Sequence, residues 1–163
     1  MYFEIANDIL GYNIKKICFN ATKEELNKTK FTQPAIFINS VIKNDILKMN
    51  GIYPNAVAGH SLGEYSALVS AEILSYEDAL GIIKIRSEQM HLAGKKQPGS
   101  MAAIINASIE QIKELCNQNE TVVIANYNSK NQIVISGTIK GIDKAIIQAK
   151  KNGIKRAIKL NVS

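Results

Sequence analysis

A five-residue motif constrains the fold of this chain more than any other feature. Positions 59–63 read Gly-His-Ser-Leu-Gly, directly after the short apolar run Asn55–Ala58 and before helix-forming residues. A strand that ends in Gly-x-Ser-x-Gly and turns at once into a helix lifts the serine hydroxyl out of a strained turn, which glycines make possible. The pattern predicts a nucleophile elbow with Ser61 as the nucleophile. The alternative is a structural serine in a tight turn.

Capping residues and helical periodicity surround the elbow. Thr32 is the predicted N-cap of a long helix that tolerates Pro34 in its first turn and runs until Gly51, and Gly94 is the predicted stop of another helix opened by Ser75. Shorter helices are predicted at 2–10 and 13–19, with a capping box at 22–25. The order helix, strand, helix, helix predicts the interior of an α/β layer structure.

The pattern changes after the breaker at 95–99. Ser108 is a predicted N-cap, and the elements follow the order β-α-β-β-α-β of a ferredoxin-like subdomain. These elements are predicted at 101–106, 108–117, 121–126, 132–136, 139–151 and 154–160. We therefore predict an α/β protein with two domains, a partial α/β core with the elbow at 1–97 and a ferredoxin-like small subdomain at 98–163.

Composition excludes several classes of protein. A hydrophobic share of 46%, a charged share of 21% and three prolines are typical of a globular domain. No apolar run is long enough to cross a bilayer, and no basic start followed by an apolar core forms a secretory signal. Cys18 and Cys116 lie far apart without metal-ligand spacing, which predicts free thiols, no metal and a cytoplasmic location.

The net charge of +6 leaves two interpretations open, a solvated lysine surface or a surface that binds an acidic partner. Nucleic-acid binding is not supported, because no basic stretch is interleaved with aromatic residues. Arginine occurs only at Arg86 and Arg156. A guanidinium in a pocket beside the serine would select acyl groups that end in a carboxylate, and the alternative for Arg86 is an ordinary helix-surface or ion-pairing arginine.

A serine hydroxyl needs a base to remove its proton and donors to stabilise the oxyanion. The backbone N–H of Leu62, at the start of the next helix, is one predicted donor. His60 precedes the nucleophile in the sharp turn, so we expect it to support the elbow rather than act as the base. His91 is interpreted as a surface or helix-terminal histidine.

These segments together resemble the malonyl-CoA:acyl carrier protein transacylases, the acyltransferases that load malonyl units for fatty-acid synthesis. The resemblance runs over nearly the whole chain and is carried by Arg86 and by residues 32–35, 59–68, 98–104, 123–129 and 132–137. It implies that Ser61 accepts a malonyl group from malonyl-CoA and passes it to the phosphopantetheine thiol of acyl carrier protein, while Arg86 holds the malonyl carboxylate.

The resemblance implies further roles. Gln33, Asn126 and Asn128 would bind substrate, while Gly59, His60 and Gly63 would support the elbow. Coenzyme A and phosphopantetheine enter as parts of the substrates, so no separate cofactor or metal is implied, and no membrane is a partner. Carrier proteins of this pathway are acidic, which makes the lysines a plausible docking surface.

The sequence also departs from this family. Members begin with a strand ending in Gly-Gln-Gly and place a catalytic histidine just past the small subdomain, and neither feature is present in these 163 residues. We therefore expect only the central part of the fold, with little or no turnover and with missing segments of the same fold as partners. Two rivals stay open: a serine hydrolase or thioesterase, and a non-catalytic remnant that binds carrier protein.

Overall fold

The structure of the chain, a computed structural model, describes residues 1–160. It divides into two compact units, the first from Met1 to Leu92 and the second from Ala93 onward. This division falls inside a helix, a few residues before the predicted domain boundary at 97/98. The fold is α/β, as predicted. Among the described residues, the first unit contains helices and no strand, and the strands lie in the second unit.

The described residues of the first unit form helices joined by short connections. Asn13 and Thr22 each cap a helix, accepting hydrogen bonds from the amides of Lys16 at 2.9 Å and Glu25 at 3.2 Å. The predicted helical turn after Thr22 is therefore confirmed. The helices are α1 (Tyr2–Leu10), α2 (Ile14–Asn20), α3 (Lys23–Leu26), α4 (Thr29–Met49), α5 (Gly63–Ser70) and α6 (Tyr76–Lys96).

Helix α4 begins earlier than predicted, so the assignment of Thr32 as its N-cap is wrong. Thr32 lies inside the helix, and its hydroxyl donates to the carbonyl of Lys28 at 3.1 Å. Pro34 has no N–H to offer the carbonyl of Lys30, and the hydroxyl of Tyr12 donates to that carbonyl instead, at 3.0 Å. Pro34 therefore lies beyond the first turn of α4 while the carbonyl of Lys30 still accepts a hydrogen bond.

The predicted stop of α6 at Gly94 is also wrong, since the helix continues to Lys96. A single glycine weakens a helix without ending it, whereas the residue before a proline is pushed out of helical geometry. Pro98 therefore fixes the end of α6 more strongly than Gly94 does.

A core of aromatic and aliphatic side chains holds α4 and α6 in place within the first unit. Phe37 of α4 stacks on Tyr76 of α6 with ring centroids 5.7 Å apart, and Ile83 is fully buried beside them. Phe37 lies one turn after Gln33, and Ile83 lies one turn before Arg86. Packing at these two positions therefore fixes the helix faces that carry Gln33 and Arg86.

The predicted strand at Asn55–Ala58 is wrong for this structure. Residues 52–58 have no regular secondary structure, and among residues 1–92 there is no strand. A strand is defined by backbone hydrogen bonds to a neighbouring strand, and the described part of the first unit offers none. The segment approaches the elbow as unpaired chain.

The second unit confirms the predicted β-α-β-β-α-β order. Its elements are β1 (Gly99–Ile105), α7 (Ile109–Asn117), β2 (Val122–Ser129), β3 (Gln132–Thr138), α8 (Ile139–Lys151) and β4 (Arg156–Leu160). The antiparallel sheet has the order β2-β3-β1-β4, with Ala103 of β1 opposite both Val134 and Ile158. Ser108 and Gln111 form a full capping box at the start of α7.

Both helices of this unit cover one face of the sheet. Ile104 and Ile135 of the central strands pack with Ile112 of α7 and Ile142 of α8, and these four side chains are almost fully buried.

Within residues 1–160, no helix combines the length and hydrophobicity that a transmembrane span requires.

Candidate active site

The turn that carries Ser61 is strained. Ser61 adopts φ +55°, in the left-handed region that side chains other than glycine rarely enter. The amide of Gly63 donates to the carbonyl of His60 at 3.0 Å, and the amide of Glu64 donates to the carbonyl of Ser61 at 3.3 Å. This backbone strain at a serine that directly precedes a helix is the geometry of a nucleophile elbow.

The backbone packs so closely at position 59 that only glycine fits there, whereas position 63 has room for a side chain. A Cβ atom built on Gly59 would lie 2.1 Å from the carbonyl carbon of Gly63, a distance that no real side chain can occupy. A Cβ atom on Gly63 would meet nothing within 4 Å. The first glycine of the motif lets the incoming chain pass against the start of α5, so the sequence reasoning about close approach applies to Gly59.

Leu62 anchors the start of α5. Its side chain is buried, and the helix begins at Gly63 without a side-chain cap. Amides at a helix start have no acceptor within the helix, and the helix dipole favours negative charge there. The amide of Leu62 has the position expected of an oxyanion donor, and this role stays a prediction.

The structure brings Gln33 and Arg86 to the serine. Nη2 of Arg86 donates to Oγ of Ser61 at 3.0 Å, and Nη1 of Arg86 donates to Oε1 of Gln33. Nε2 of Gln33 in turn donates to the thioether sulfur of Met90 at 3.1 Å, which fixes the orientation of the buried amide. We call Gln33, Ser61, Arg86 and Met90 the serine–arginine cluster.

Arg86 carries a positive charge that no acidic side chain neutralises in the described residues. The salt bridges among residues 1–160 do not include it, and its hydrogen-bond partners are a hydroxyl and an amide. Its guanidinium carbon lies 5.8 Å from the ring centroid of Tyr65, on the helix that follows the elbow. A half-exposed guanidinium held by neutral groups is available to an anionic ligand.

No base contacts Ser61 in the described part of the chain. The side-chain partner of its hydroxyl is the guanidinium of Arg86, which only donates and does not accept protons. His60 is exposed, and no hydrogen bond joins its imidazole to Ser61 within residues 1–160. His91 lies half-buried on α6, five positions after Arg86.

The remaining candidate groups belong to other elements of the chain. Asn126 and Asn128 are on β2 of the second unit, where Nδ2 of Asn128 donates to Oε1 of Gln132 at 3.0 Å, and their predicted substrate contacts stay predictions. Burial raises the pKa of the thiols of Cys18 and Cys116, so neither is primed as a competing nucleophile. Among residues 1–160, no group of three or more acidic, histidine or cysteine side chains could hold a metal ion.

Sequence reasoning missed Met90 and Tyr65 as members of the site. Each lies four positions after a predicted site residue, Met90 after Arg86 and Tyr65 after Ser61. Arg86 and Met90 are both on α6, where this spacing brings side chains to the same face, whereas Ser61 precedes α5 and the helical spacing does not apply to Tyr65. The spacing was available in the sequence, but which side chain would meet Gln33 depends on the packing of α4 against α6.

Comparisons with known proteins point to one family. A family model described as acyl transferase domain matches residues 4–163. The malonyl CoA-acyl carrier protein transacylase of Bacillus subtilis is 42% identical over 165 residues, which are 99% of this chain and 52% of that protein. The chain therefore spans about half the length of the curated relatives it matches.

Solved structures show the same partial coverage. The malonyl-CoA:acyl carrier protein transacylase of Xanthomonas oryzae has a TM-score of 0.92 and 35% identity, covering 99% of this chain and 53% of that one. A solved complex of a type II polyketide-synthase acyl carrier protein with its malonyl-transacylase contains a chain that matches with a TM-score of 0.90 and 36% identity, covering 99% of this chain and 54% of that one.

Proposed function

The chain belongs to the acyl transferase domain family, and we propose that its first unit carries the serine that accepts a malonyl group and the arginine that selects it. The malonyl group would come from coenzyme A and pass to the phosphopantetheine thiol of an acyl carrier protein, as in fatty-acid synthesis. The relatives' names supply this donor and acceptor, and the serine–arginine cluster supplies the chemistry.

One observation carries the proposal, the 3.0 Å contact between the guanidinium of Arg86 and the hydroxyl of Ser61. A malonyl ester on Ser61 ends in a free carboxylate only a few bonds from Oγ, within reach of the same guanidinium. Arginine offers a planar fork that binds a carboxylate with two parallel hydrogen bonds. An acetyl ester has no carboxylate, so it gains nothing from Arg86.

The transfer consists of two balanced steps. In the first, Oγ of Ser61 attacks the thioester carbonyl, the Oγ–C bond forms, the C–S bond breaks, and coenzyme A leaves as its thiol with the proton lost by the serine. In the second, the phosphopantetheine thiol attacks the serine ester and Ser61 recovers its proton. The amide of Leu62 would donate to the oxyanion in both steps. We propose that the transfer uses no separate cofactor or metal, because the thiols of coenzyme A and of phosphopantetheine belong to the substrates.

The proton in these steps needs a base, and the described residues bring none to Ser61. Losing one member of a serine triad costs several powers of ten in rate. We therefore expect the 163-residue chain, assayed by itself, to form the malonyl-serine ester far more slowly than a whole transacylase.

Carrier protein is the proposed acceptor. One of the solved relatives is in complex with an acyl carrier protein, and the net charge of +6 would favour an acidic partner. We propose the cytoplasm as the location, supported by the free thiols Cys18 and Cys116.

Mass spectrometry of the intact chain after incubation with malonyl-CoA tests the proposal. We expect a single malonyl adduct that peptide mapping assigns to Ser61, that is absent from Ser61→Ala, and that a holo carrier protein removes as malonyl thioester. Release of the label as free malonate without carrier would instead indicate a serine hydrolase or thioesterase. An adduct on another residue, or one that survives in Ser61→Ala, would contradict the proposal.

The absence of a base at Ser61 in the described residues favours a second candidate, a non-catalytic module that binds carrier protein. This candidate predicts saturable binding of holo carrier protein without any malonyl adduct, even after long incubation with malonyl-CoA. Titration of the chain with carrier protein, run beside the mass measurement, separates the two functions.

A further inference from the structure

Burial does not explain the methionine at position 90. The side chain of Met90 is 47% exposed, and it lies on α6 one turn after Arg86. Buried methionines fill irregular gaps in a core with a flexible thioether, and a half-exposed position makes no such demand on its side chain. What distinguishes Met90 from a leucine of similar size is its sulfur, which can accept a hydrogen bond.

The hydrogen bonds that join Arg86, Gln33 and Met90 all run in one direction. Nη1 of Arg86 donates to Oε1 of Gln33, and Nε2 of Gln33 donates to the sulfur of Met90 at 3.1 Å. A guanidinium carries only donors, so a Gln33 amide turned by half a rotation would place its own donor against Arg86. The acceptor at Met90 and the donor at Arg86 therefore specify the same orientation of the Gln33 amide.

The burial of Gln33 makes an acceptor at Met90 necessary. Gln33 is 7% exposed, so its Nε2 group has little access to water in the present orientation. A buried amide N–H that loses its acceptor costs more than the net gain of an ordinary hydrogen bond. Without the sulfur, the amide would satisfy this group only by turning toward water, and its oxygen would then leave Arg86.

The bond from Arg86 to Gln33 is also the contact that acyl transfer leaves in place. In the proposed transfer, Oγ of Ser61 becomes an ester oxygen, and Nη2 of Arg86, which donates to that Oγ at 3.0 Å, turns to the malonyl carboxylate. The ring of Tyr65 attracts the guanidinium without fixing its rotation in its own plane. Gln33 therefore sets the direction of the guanidinium before the carboxylate binds, which reduces the entropy lost on binding.

We propose that Met90 is a positioning residue for acyl selection, because its sulfur holds the Gln33 amide and this amide holds the guanidinium of Arg86 toward a malonyl carboxylate. Met90 acts through Gln33 and not on the acyl group. The proposal rests on the proposed function, since it requires that Arg86 selects a carboxylate. An acetyl ester makes no use of the guanidinium, so its formation should not depend on Met90.

Two substitutions at position 90 separate the acceptor from the size of the side chain. Met90→Leu keeps an apolar side chain of similar volume and removes the acceptor, whereas Met90→Gln supplies an amide oxygen in place of the sulfur. Leucine, glutamine and methionine favour helix about equally, so α6 should persist in both variants. Met49→Leu is the matched control, because Met49 is the last residue of α4 and is 86% exposed.

Competition between malonyl-CoA and acetyl-CoA for Ser61 measures the selection. In Met90→Leu we expect the malonyl-to-acetyl ratio to fall about 3- to 10-fold, the range that the loss of one hydrogen bond produces, while the rate of acetyl labelling stays that of the parent. Met90→Gln should return the ratio to within about 2-fold of the parent, and Met49→Leu should leave it unchanged. Adding Met90→Leu to Arg86→Ala should cause no further fall, because Met90 acts through Arg86.

Nuclear magnetic resonance of the Gln33 side chain tests the same contact without acyl transfer. Exchange of its two amide protons with water reports whether the group is held in its buried position. We expect these protons to exchange at least ~10-fold faster in Met90→Leu than in the parent chain, and at close to the parent rate in Met90→Gln.

An unchanged malonyl-to-acetyl ratio in Met90→Leu, beside a malonyl preference in the parent, would overturn this proposal and leave the proposed function standing. Equal slowing of both labels would assign Met90 to packing and would also overturn it. A parent chain with no malonyl preference would contradict the proposed function, and the role of Met90 in selection would fall with it. The exchange measurement separates these cases, because faster exchange in Met90→Leu would still establish the hold on Gln33, and unchanged exchange would overturn that as well.

Discussion

The two units of this chain differ in how the backbone groups of their extended segments are hydrogen-bonded. In the second unit, every strand pairs with a neighbour from the same unit, and both helices pack on the resulting sheet. In the first unit, residues 53–59, which precede Ser61, make no backbone hydrogen bond among the described residues, although Ser61 has the strained conformation of an elbow. The elbow conformation at Ser61 is therefore present although the segment before it pairs with no strand among residues 1–160.

The largest expected difference between the units is in the free energy of unfolding. Ile135 is fully buried at the centre of the second unit's core, so Ile135→Ala should cost about 2–5 kcal/mol. Val57 is 40% exposed, and Val57→Ala should change stability by less than about 0.5 kcal/mol. Urea unfolding followed residue by residue in NMR spectra measures both. Equal losses would show that the segment before the elbow is already part of a packed core.

The next largest effect distinguishes the two glycines of the elbow. Gly59→Ala places a Cβ 2.1 Å from the backbone at Gly63, so the turn must shift, and we expect malonyl labelling of Ser61 to slow at least ~100-fold. Gly63→Ala meets open space within 4 Å and serves as the matched control, with a labelling rate close to that of the parent chain. Similar labelling rates for the two variants would mean that the elbow does not depend on the close approach at Gly59.

A smaller effect concerns the helix starts of the two units. The capping box of Ser108 caps the start of α7 in the second unit, whereas the start of α5, at the elbow, has no side-chain cap. Ser108→Ala should destabilise the second unit by about 1 kcal/mol. Ser40, which donates to the carbonyl of Ile36 in the middle of α4, is the control, because Ser40→Ala should be neutral or slightly stabilising. A Ser108→Ala variant as stable as the parent would show that the box contributes nothing measurable.

Local signals explain why the second unit could be predicted. Ser108 with Gln111 fixes the start of α7, the β-branched runs fix the strands, and the β-α-β-β-α-β order permits few sheet topologies. Each of these signals depends on residues close together in sequence. The sequence prediction of this unit therefore differs from the structure mainly at the ends of strands, where assignments commonly vary.

The first unit was harder to predict because its structure depends on distant contacts. Near the start of α4, Tyr12 donates to the carbonyl that Pro34 leaves open, and the segment predicted as a strand at 55–58 has no neighbouring strand among residues 1–92. Within the site, Ser61, Arg86 and Gln33 could be proposed from motif and resemblance, and the structure brings them together. The contact from Gln33 to Met90 joins residues 57 positions apart and required the packed helices.

The central claim is that Arg86 selects the acyl group that Ser61 accepts, and a competition experiment tests it most directly. The chain is incubated with equal concentrations of malonyl-CoA and acetyl-CoA, and the two adducts on Ser61 are measured by mass spectrometry. The account predicts a malonyl excess of at least ~10-fold that falls to near equality in Arg86→Ala, because only the malonyl ester carries a carboxylate for the guanidinium. An unchanged ratio in Arg86→Ala, or an acetyl excess in the parent chain, would contradict it.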